Sequence, residues 1–330
     1  MTYKILFIIP EQYRPSSRIR IYNLLDGLKK YGIESEVVKY PGGLANKLRL
    51  FMRCRRFNAV YLQKRLLKSR DVFLLRRSAA YLIFDFDDAI YCEHNSTAID
   101  KSSNLYKKFK SITSRADLII AGNKILKNTA SEFNDNIEVI PSAVFVKDIP
   151  QKNYSSQNKR VIIGWVGSSF NLQYLDLLSP VLEKISEKHD IELRIICDKG
   201  VDMDGVDVTF TPWSIETQDR EIANFDIGVM PLDHSLHANA KCGYKALQYM
   251  AAAVPAVVSD VGINSEIVQQ GKLGGVAKDI GDFYAALEQL IVSPEERRRR
   301  GEASRLAVSE RYSVEAVSRM LASILRKNIA

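Results

Sequence analysis

Short runs of β-branched and aliphatic residues alternate along this chain with longer stretches whose apolar positions recur every three or four residues. The short runs predict strands at 3–9, 36–40, 59–63, 81–86, 117–121 and 137–140. Helices fit between them. The first starts at Ser16 or Ser17, either of which suits an N-cap, carries Ile19, Leu24, Leu25 and Leu28 on its apolar side, and ends near Gly32. Continuous apolar runs such as 118–121 predict strands covered on both faces, as in parallel sheets. The rhythm lapses over 147–159, a polar stretch with Pro150, Ser155 and Ser156 that reads as an interdomain linker. It then resumes, with strands at 160–166, 192–197, 206–210, 226–230 and 256–259 and helices at 172–188 and 241–253. From Pro294 the tail reads as helical, with the arginines at 297–300 on a solvated face. The expected architecture is α/β, with doubly wound units over 1–150 and 151–310 and a last helix over 311–330 packing back toward the first.

Charge changes this picture in one respect. Residues 1–110 hold 22 basic and 10 acidic side chains and the remainder 25 and 29, so the net +8 comes from the first unit. Within it the stretch 47–77, bounded by Lys47 and Arg77, carries eleven basic residues and one acid, Asp71. Leu44, Leu48, Leu50, Phe51 and Met52 interleave with Lys47, Arg49 and Arg53. Two readings stand: an amphipathic helix on an anionic membrane surface, or an ordinary packed helix with a charged outer face. Phe51, Phe57 and Tyr61 have the spacing of core residues and no nucleic-acid module is present, so no nucleic-acid partner is expected.

Several classes are excluded by pattern. The longest apolar run, 249–258, is too short for a bilayer span and contains Pro255, and Pro10 stops the run 5–9 short of a signal-peptide core. Cys54, Cys92, Cys197 and Cys242 lie far apart, which suits reduced thiols of a cytoplasmic protein and argues against a disulfide framework or a zinc site. His234 and His237 have no third metal ligand nearby in sequence. Neither G-x-G-x-x-G nor a P-loop occurs.

In doubly wound sheets ligands gather at the carboxyl ends of the strands, and a two-unit protein places them in the interdomain cleft. After the first strand come Ser16, Ser17, Arg18 and Arg20, a capped helix start with two cations beside it, suited to anions or simply solvated. After the fourth come Asp85, Asp87 and Asp88. Asp87 or Asp88 should emerge at the strand tip, for sugar hydroxyls, acid–base work or a cation, or else to cap the next helix. The second unit opens on Gly164-Trp165-Val166-Gly167-Ser168-Ser169-Phe170-Asn171, a small-residue turn able to seat a phosphate or diphosphate. Later, Lys241-Cys242-Gly243-Tyr244-Lys245 opens a predicted helix, on which Lys241 and Lys245 share a face and Gln248 follows one turn beyond Lys245.

At these residues the sequence resembles the retaining, nucleotide-sugar-dependent glycosyltransferases of family four, the glycosyl transferases group 1, whose fold is GT-B: two Rossmann-like domains facing across a cleft. The resemblance runs through Phe84-Asp85-Phe86-Asp87-Asp88, Ala116 to Asn123, Val139-Ile140-Pro141-Ser142, Gly164 to Asn171, Asp226 to Leu232, Lys241 to Asn264 and Arg311-Tyr312-Ser313. It implies transfer of a sugar from a nucleotide sugar to a glycan or lipid-linked hydroxyl, as in surface polysaccharide or glycoconjugate synthesis, with neither metal nor other cofactor. The enzyme would be cytoplasmic or peripheral on the inner face of the cytoplasmic membrane. On this reading Gly167, Ser168, Ser169, Asn171, Trp213, Lys241, Gly243, Lys245 and Gln248 hold the donor, with Lys245 stabilising the departing diphosphate. Asp87 or Asp88 orients a sugar, and Ser17, Arg18, Arg20 and Asn123 lie on the acceptor side. Trp213 either borders the base or is a core residue. Family members often carry two glutamates with seven residues between them where this chain has Ala240 and Gln248, and an arginine and a lysine where it has Ser168 and Asn171. A catalytically silent relative that binds a nucleotide sugar or polyanionic glycan is the alternative reading.

Overall fold

A computed structural model describes residues 2–11, 14–94, 96–155 and 160–329. The chain forms two compact units. One comprises Met1–Ala143, Ser235–Cys242 and Val314–Ala330, the other Val144–His234 and Gly243–Ser313.

The first unit is built on strands β1 (Tyr3–Ile9), β2 (Ile33–Lys39), β3 (Ala59–Gln63), β4 (Leu82–Phe86), β5 (Leu118–Ala121) and β6 (Ile137–Val139). They form one parallel sheet in the order β2-β1-β3-β4-β5-β6. Strand side chains alternate between faces, and the uninterrupted apolar runs therefore feed two cores. Leu6 and Ile8 join Val60, Leu62, Phe84 and Phe86 on one face. Ile5, Phe7 and Ile9 join Tyr61, Ile83, Leu118 and Ile120 on the other, covered by Val317, Leu321 and Leu325 of the last helix, Val314–Ile329.

The second unit holds β7 (Val161–Val166), β8 (Ile191–Cys197), β9 (Val208–Pro212), β10 (Ile227–Met230), β11 (Ala256–Ser259) and β12 (Gly274–Ala277), again all parallel, in the order β12-β11-β10-β7-β8-β9. Strand β12 was not among the predicted elements, because its two leading glycines hide it from a β-propensity reading.

Several expected elements differ, each for a local reason. The first helix runs Pro15–Arg20, breaks at Ile21 and resumes as a short turn and Leu25–Lys30; Ser17 lies inside it, and Arg14 is the capping residue without a side-chain cap. The stretch 172–188 divides into Leu172–Leu175, a tighter turn, and Ser179–Ser186, which has Pro180 in its first turn. The predicted linker is anchored where it is described: Val144 bridges Ser313, Arg305 donates to the carbonyls of Val146, Ile149 and Ala251, and buried Lys152 pairs with Asp226 at 3.0 Å. Residues 156–159 of that stretch lie outside the described residues. Arginines 297–300 are not all solvated. Arg297 turns inward onto the carbonyls of Leu290 and Ile291, in the last turn of the helix Ile280–Val292 where carbonyls lack intrahelical partners, and Arg300 onto the carbonyl of Gly274.

Candidate active site

In each sheet the strand order reverses at the first strand, so that β1 lies between β2 and β3 and β7 between β8 and β10. The crevice beyond the carboxyl ends at such a reversal is the ligand position of open parallel sheets.

In the first unit this position is filled by charges that satisfy one another. Ser17 Oγ donates to Gln63 Oε1 at 3.0 Å. Arg20 donates to Asp85 from Nε at 3.3 Å and again from a terminal nitrogen, and its other terminal nitrogen donates to the Ile140 carbonyl at 2.6 Å. All four side chains are buried. Burial works against the Arg20 charge, but the Asp85 carboxylate overcomes it and holds the guanidinium pKa above its ordinary value. Ser17 and Arg20, expected at an open anion site, are therefore framework residues, while Arg18 is half-buried.

Nearer the surface Lys64, in a left-handed backbone conformation just past β3, places Nζ 3.0 Å from Asp87 Oδ1 and 3.2 Å from Asp88 Oδ2. His237 Nε2 lies 3.5 Å from Asp88 Oδ1 and its ring 4.7 Å from that of His94. Burial raises the Asp88 carboxyl pKa, but Lys64, His237 and Lys241 outweigh it and hold it below the ordinary value. His237 itself is lowered, by burial first, against the pull of Asp88. Asn123 caps the helix Lys124–Ala130 and donates to the Ala240 carbonyl at 2.8 Å, fastening the segment Ser235–Cys242 to this unit.

The second unit arranges the same topological position differently. Gly167 opens the turn after β7, and a Cβ there would stand 2.6 Å from the Trp165 ring and 2.7 Å from Lys245 Nζ. The glycine thus makes room for an ammonium that rests 4.0 Å above the centre of the fully buried Trp165 ring. Lys245 belongs to the helix Tyr244–Ala251, whose capping residue, Gly243, takes the left-handed conformation at φ 65°. Lys241 lies ahead of this helix in the first unit, so the helical spacing expected to pair Lys241 with Lys245 does not exist. The turn's own N–H groups are largely committed: Gly167 donates to the Ile196 carbonyl, and Ser169 donates to Asp198 from its N–H at 2.6 Å and its hydroxyl at 2.7 Å. These two bonds lower the Asp198 carboxyl to about 2. Asn171 donates to Ser168 Oγ at 3.0 Å. At the end of β9 Trp213 is 41% exposed, so it is no core residue, and its indole N–H donates to Gln218 at 3.0 Å.

Residues 160–293 match the family described as glycosyl transferases group 1. That segment, under half of the chain, is similar to the group 1 glycosyltransferases. Solved structures agree on the fold, which is GT-B. The sucrose-phosphate synthase of Thermosynechococcus elongatus superposes with a TM-score of 0.75 at 12% identity, over 98% of this chain and 98% of that one. HepE of Anabaena, solved in complex with UDP-glucose, gives 0.74 at 12% identity over 98% and 100%. The lipopolysaccharide outer core galactosyltransferase WaaB gives 0.65 at 14% over 98% and 99%. No curated protein matches the chain.

In this chain, strand-end reasoning finds Asp87, Asp88, Gly167 and Ser169 at their strand tips. It passes over Lys64, lost within a basic block read as surface, and Asp198, although each directly follows a strand. Sequence spacing brings His237 forward only as a metal ligand; among the described residues no group of three or more His, Cys, Asp or Glu is placed to hold a metal ion. Gln218 has no sequence signal, since its role rests on a hydrogen bond that the fold creates.

Proposed function

We propose that this protein is a glycosyltransferase that moves a sugar from a nucleotide-sugar donor to a hydroxyl of a glycan or lipid-linked acceptor, with anomeric configuration retained, in surface polysaccharide or glycoconjugate synthesis. The observation that carries the reading is that Lys245 and Gly167 meet at the reversal of the second sheet, within the family segment, in the same unit as Gln248 and Trp213, which Gln218 links. Lys245 supplies a positive charge for the departing diphosphate, Gln248 faces the ribose hydroxyls and Trp213 the base. As the bond from the anomeric carbon to the diphosphate oxygen breaks, the acceptor oxygen bonds to that carbon and its proton passes to the diphosphate. Charge stabilisation at the leaving group is then the main protein contribution, and no metal or other cofactor is invoked. Asp87 or Asp88, held by Lys64, orients sugar hydroxyls. The HepE complex with UDP-glucose supports the donor class and WaaB a surface-glycan acceptor.

The test is incubation with UDP-, GDP-, ADP- and CMP-sugars, following both binding and donor hydrolysis. Binding with slow hydrolysis supports the enzyme. Binding with neither hydrolysis nor transfer supports the silent alternative, which is favoured by fully buried Ala240 in the place of a carboxylate.

The surface of the first unit supports a peripheral position at the inner face of the cytoplasmic membrane. On the helix Leu44–Cys54, Leu50 and Phe51 are buried, but Leu44, Leu48 and Met52 form an exposed stripe at four-residue spacing, with Arg49 and Arg53 exposed beside it. Apolar side chains flanked by arginine suit an anionic leaflet, each cation contributing about 1 kcal/mol. Among the described residues no helix is long and apolar enough to cross a membrane. Changing Leu44, Leu48 and Met52 together to Gln should abolish low-salt sedimentation with phosphatidylserine vesicles. Absence of sedimentation by the wild type at low salt would defeat the membrane reading.

A further inference from the structure

The second unit holds a short chain of polar groups, Trp213, Gln218 and Gln248, whose middle member the proposed function leaves unused. Gln218 opens the helix Gln218–Ile222, with its N–H on the Ser214 carbonyl at 3.0 Å. Its Oε1 accepts the Trp213 indole N–H at 3.0 Å and also Nε2 of Gln248 at 3.4 Å. Both glutamines are buried, at 6% and 5% exposure, whereas Trp213 stands partly in solvent, its backbone N–H held by the Cys197 carbonyl at 2.7 Å.

The chemistry of the first link dictates the rest. An indole N–H can only donate, so Gln218 must present its carbonyl end to Trp213. That same oxygen receives the amide nitrogen of Gln248, which turns the Gln248 carbonyl oxygen to the opposite side. A glutamine without such a constraint presents either end of its amide, donor or acceptor, at similar cost. A glutamate has no such ambiguity, because both carboxylate oxygens accept.

We infer that Gln218 is a positioning residue for nucleoside recognition: locked by Trp213, it makes Gln248 an obligate hydrogen-bond acceptor for ribose hydroxyls, in place of a carboxylate, and fixes the Trp213 ring plane toward the base. The inference rests on the proposed binding of a nucleoside diphosphate in this unit. It assigns Gln218 no contact with the nucleotide.

The test uses the full chain and the fluorescence of its two tryptophans, Trp165 and Trp213. UDP, GDP, ADP and CDP are titrated against their 2′,3′-dideoxy forms. Wild type should bind at least one ribonucleotide about tenfold more tightly than its dideoxy form, the ratio expected for one hydrogen bond to a hydroxyl. Gln218→Leu should bring that ratio close to one. Gln218→Glu, whose carboxylate still accepts from both partners, should keep it. In the double variant Gln218→Leu with Gln248→Glu the ratio should return, because a carboxylate needs no orienting. A wild-type ratio in Gln218→Leu, or equal loss in Gln218→Leu and Gln218→Glu, overturns the inference while leaving nucleotide binding intact. Failure of the double variant to regain the ratio overturns it as well. Absence of any nucleotide binding by wild type overturns both the inference and the donor reading beneath it.

Discussion

The carboxyl ends of the two sheets occupy equivalent topological positions and are furnished in opposite ways. Around β1, β3 and β4 the polar groups are spent on one another: Arg20 on Asp85, Ser17 on Gln63, Lys64 on Asp87 and Asp88. After β7 the turn is small and an ammonium sits on an indole face beside a glycine, while past the edge strand β9 a second indole stands partly in solvent. A buried ion pair contributes little net stability but is costly to break on one side. A cation over an aromatic ring is held by the ring quadrupole. The first arrangement holds a scaffold together, and the second is suited to receive a ligand.

Substitutions should separate these roles. Lys245→Ala is expected to have the largest effect on chemistry: a fall of about 100-fold or more in donor hydrolysis or transfer, with thermal unfolding close to wild type. Near-normal turnover in that variant would remove Lys245 from the site. Asp85→Ala leaves the Arg20 charge buried and unpaired, and should cost about 3–5 kcal/mol in urea unfolding while the folded fraction still binds nucleotide. A marginal stability change there would mean that the first unit's network is not structural. Trp213→Ala should weaken nucleotide binding about tenfold, within the range for loss of one base–aromatic stack, and barely alter unfolding because the ring is partly exposed. Equal affinity by calorimetry would place the base elsewhere.

The smallest effect concerns acid. His237 has a folded-state pKa below its ordinary 6.5, with Asp88, His94, Lys241 and Lys64 facing it. The unfolded chain therefore takes up that proton first, and the stability present above pH 6.5 is lost as the pH falls through the folded value. Asp88, also lowered, adds a further loss below its ordinary 3.8. His237→Gln should make the decline in melting temperature between pH 7 and 5 shallower. An unchanged slope would show that the histidine does not titrate with folding.

Much of the fold was legible because parallel strands buried on both faces need unbroken apolar runs, and such runs have few alternatives. Strands 3–9, 59–63 and 256–259 were found residue for residue. Strand β12 was not, since Gly274 and Gly275 carry no β signal. Helix starts were the least legible: Ser17 resembles a cap but its hydroxyl is drawn inward by Gln63, and the helix predicted from Lys241 waits for the left-handed Gly243.

By itself, the sequence determined the alternation of strands and helices, the basic bias of its first third, and the residue types available at each strand tip, because these depend on local pattern and covalent order. Only the tertiary structure decided which of those residues neutralise one another. Arg20 and Asp85 are 65 positions apart, Trp213 and Gln248 are joined through Gln218, and Lys64 reaches two aspartates from another strand end. Hydrogen bonds and ion pairs act over a few ångströms in space, irrespective of separation along the chain. The choice between framework charge and ligand-facing charge therefore exists only once the sheets have formed.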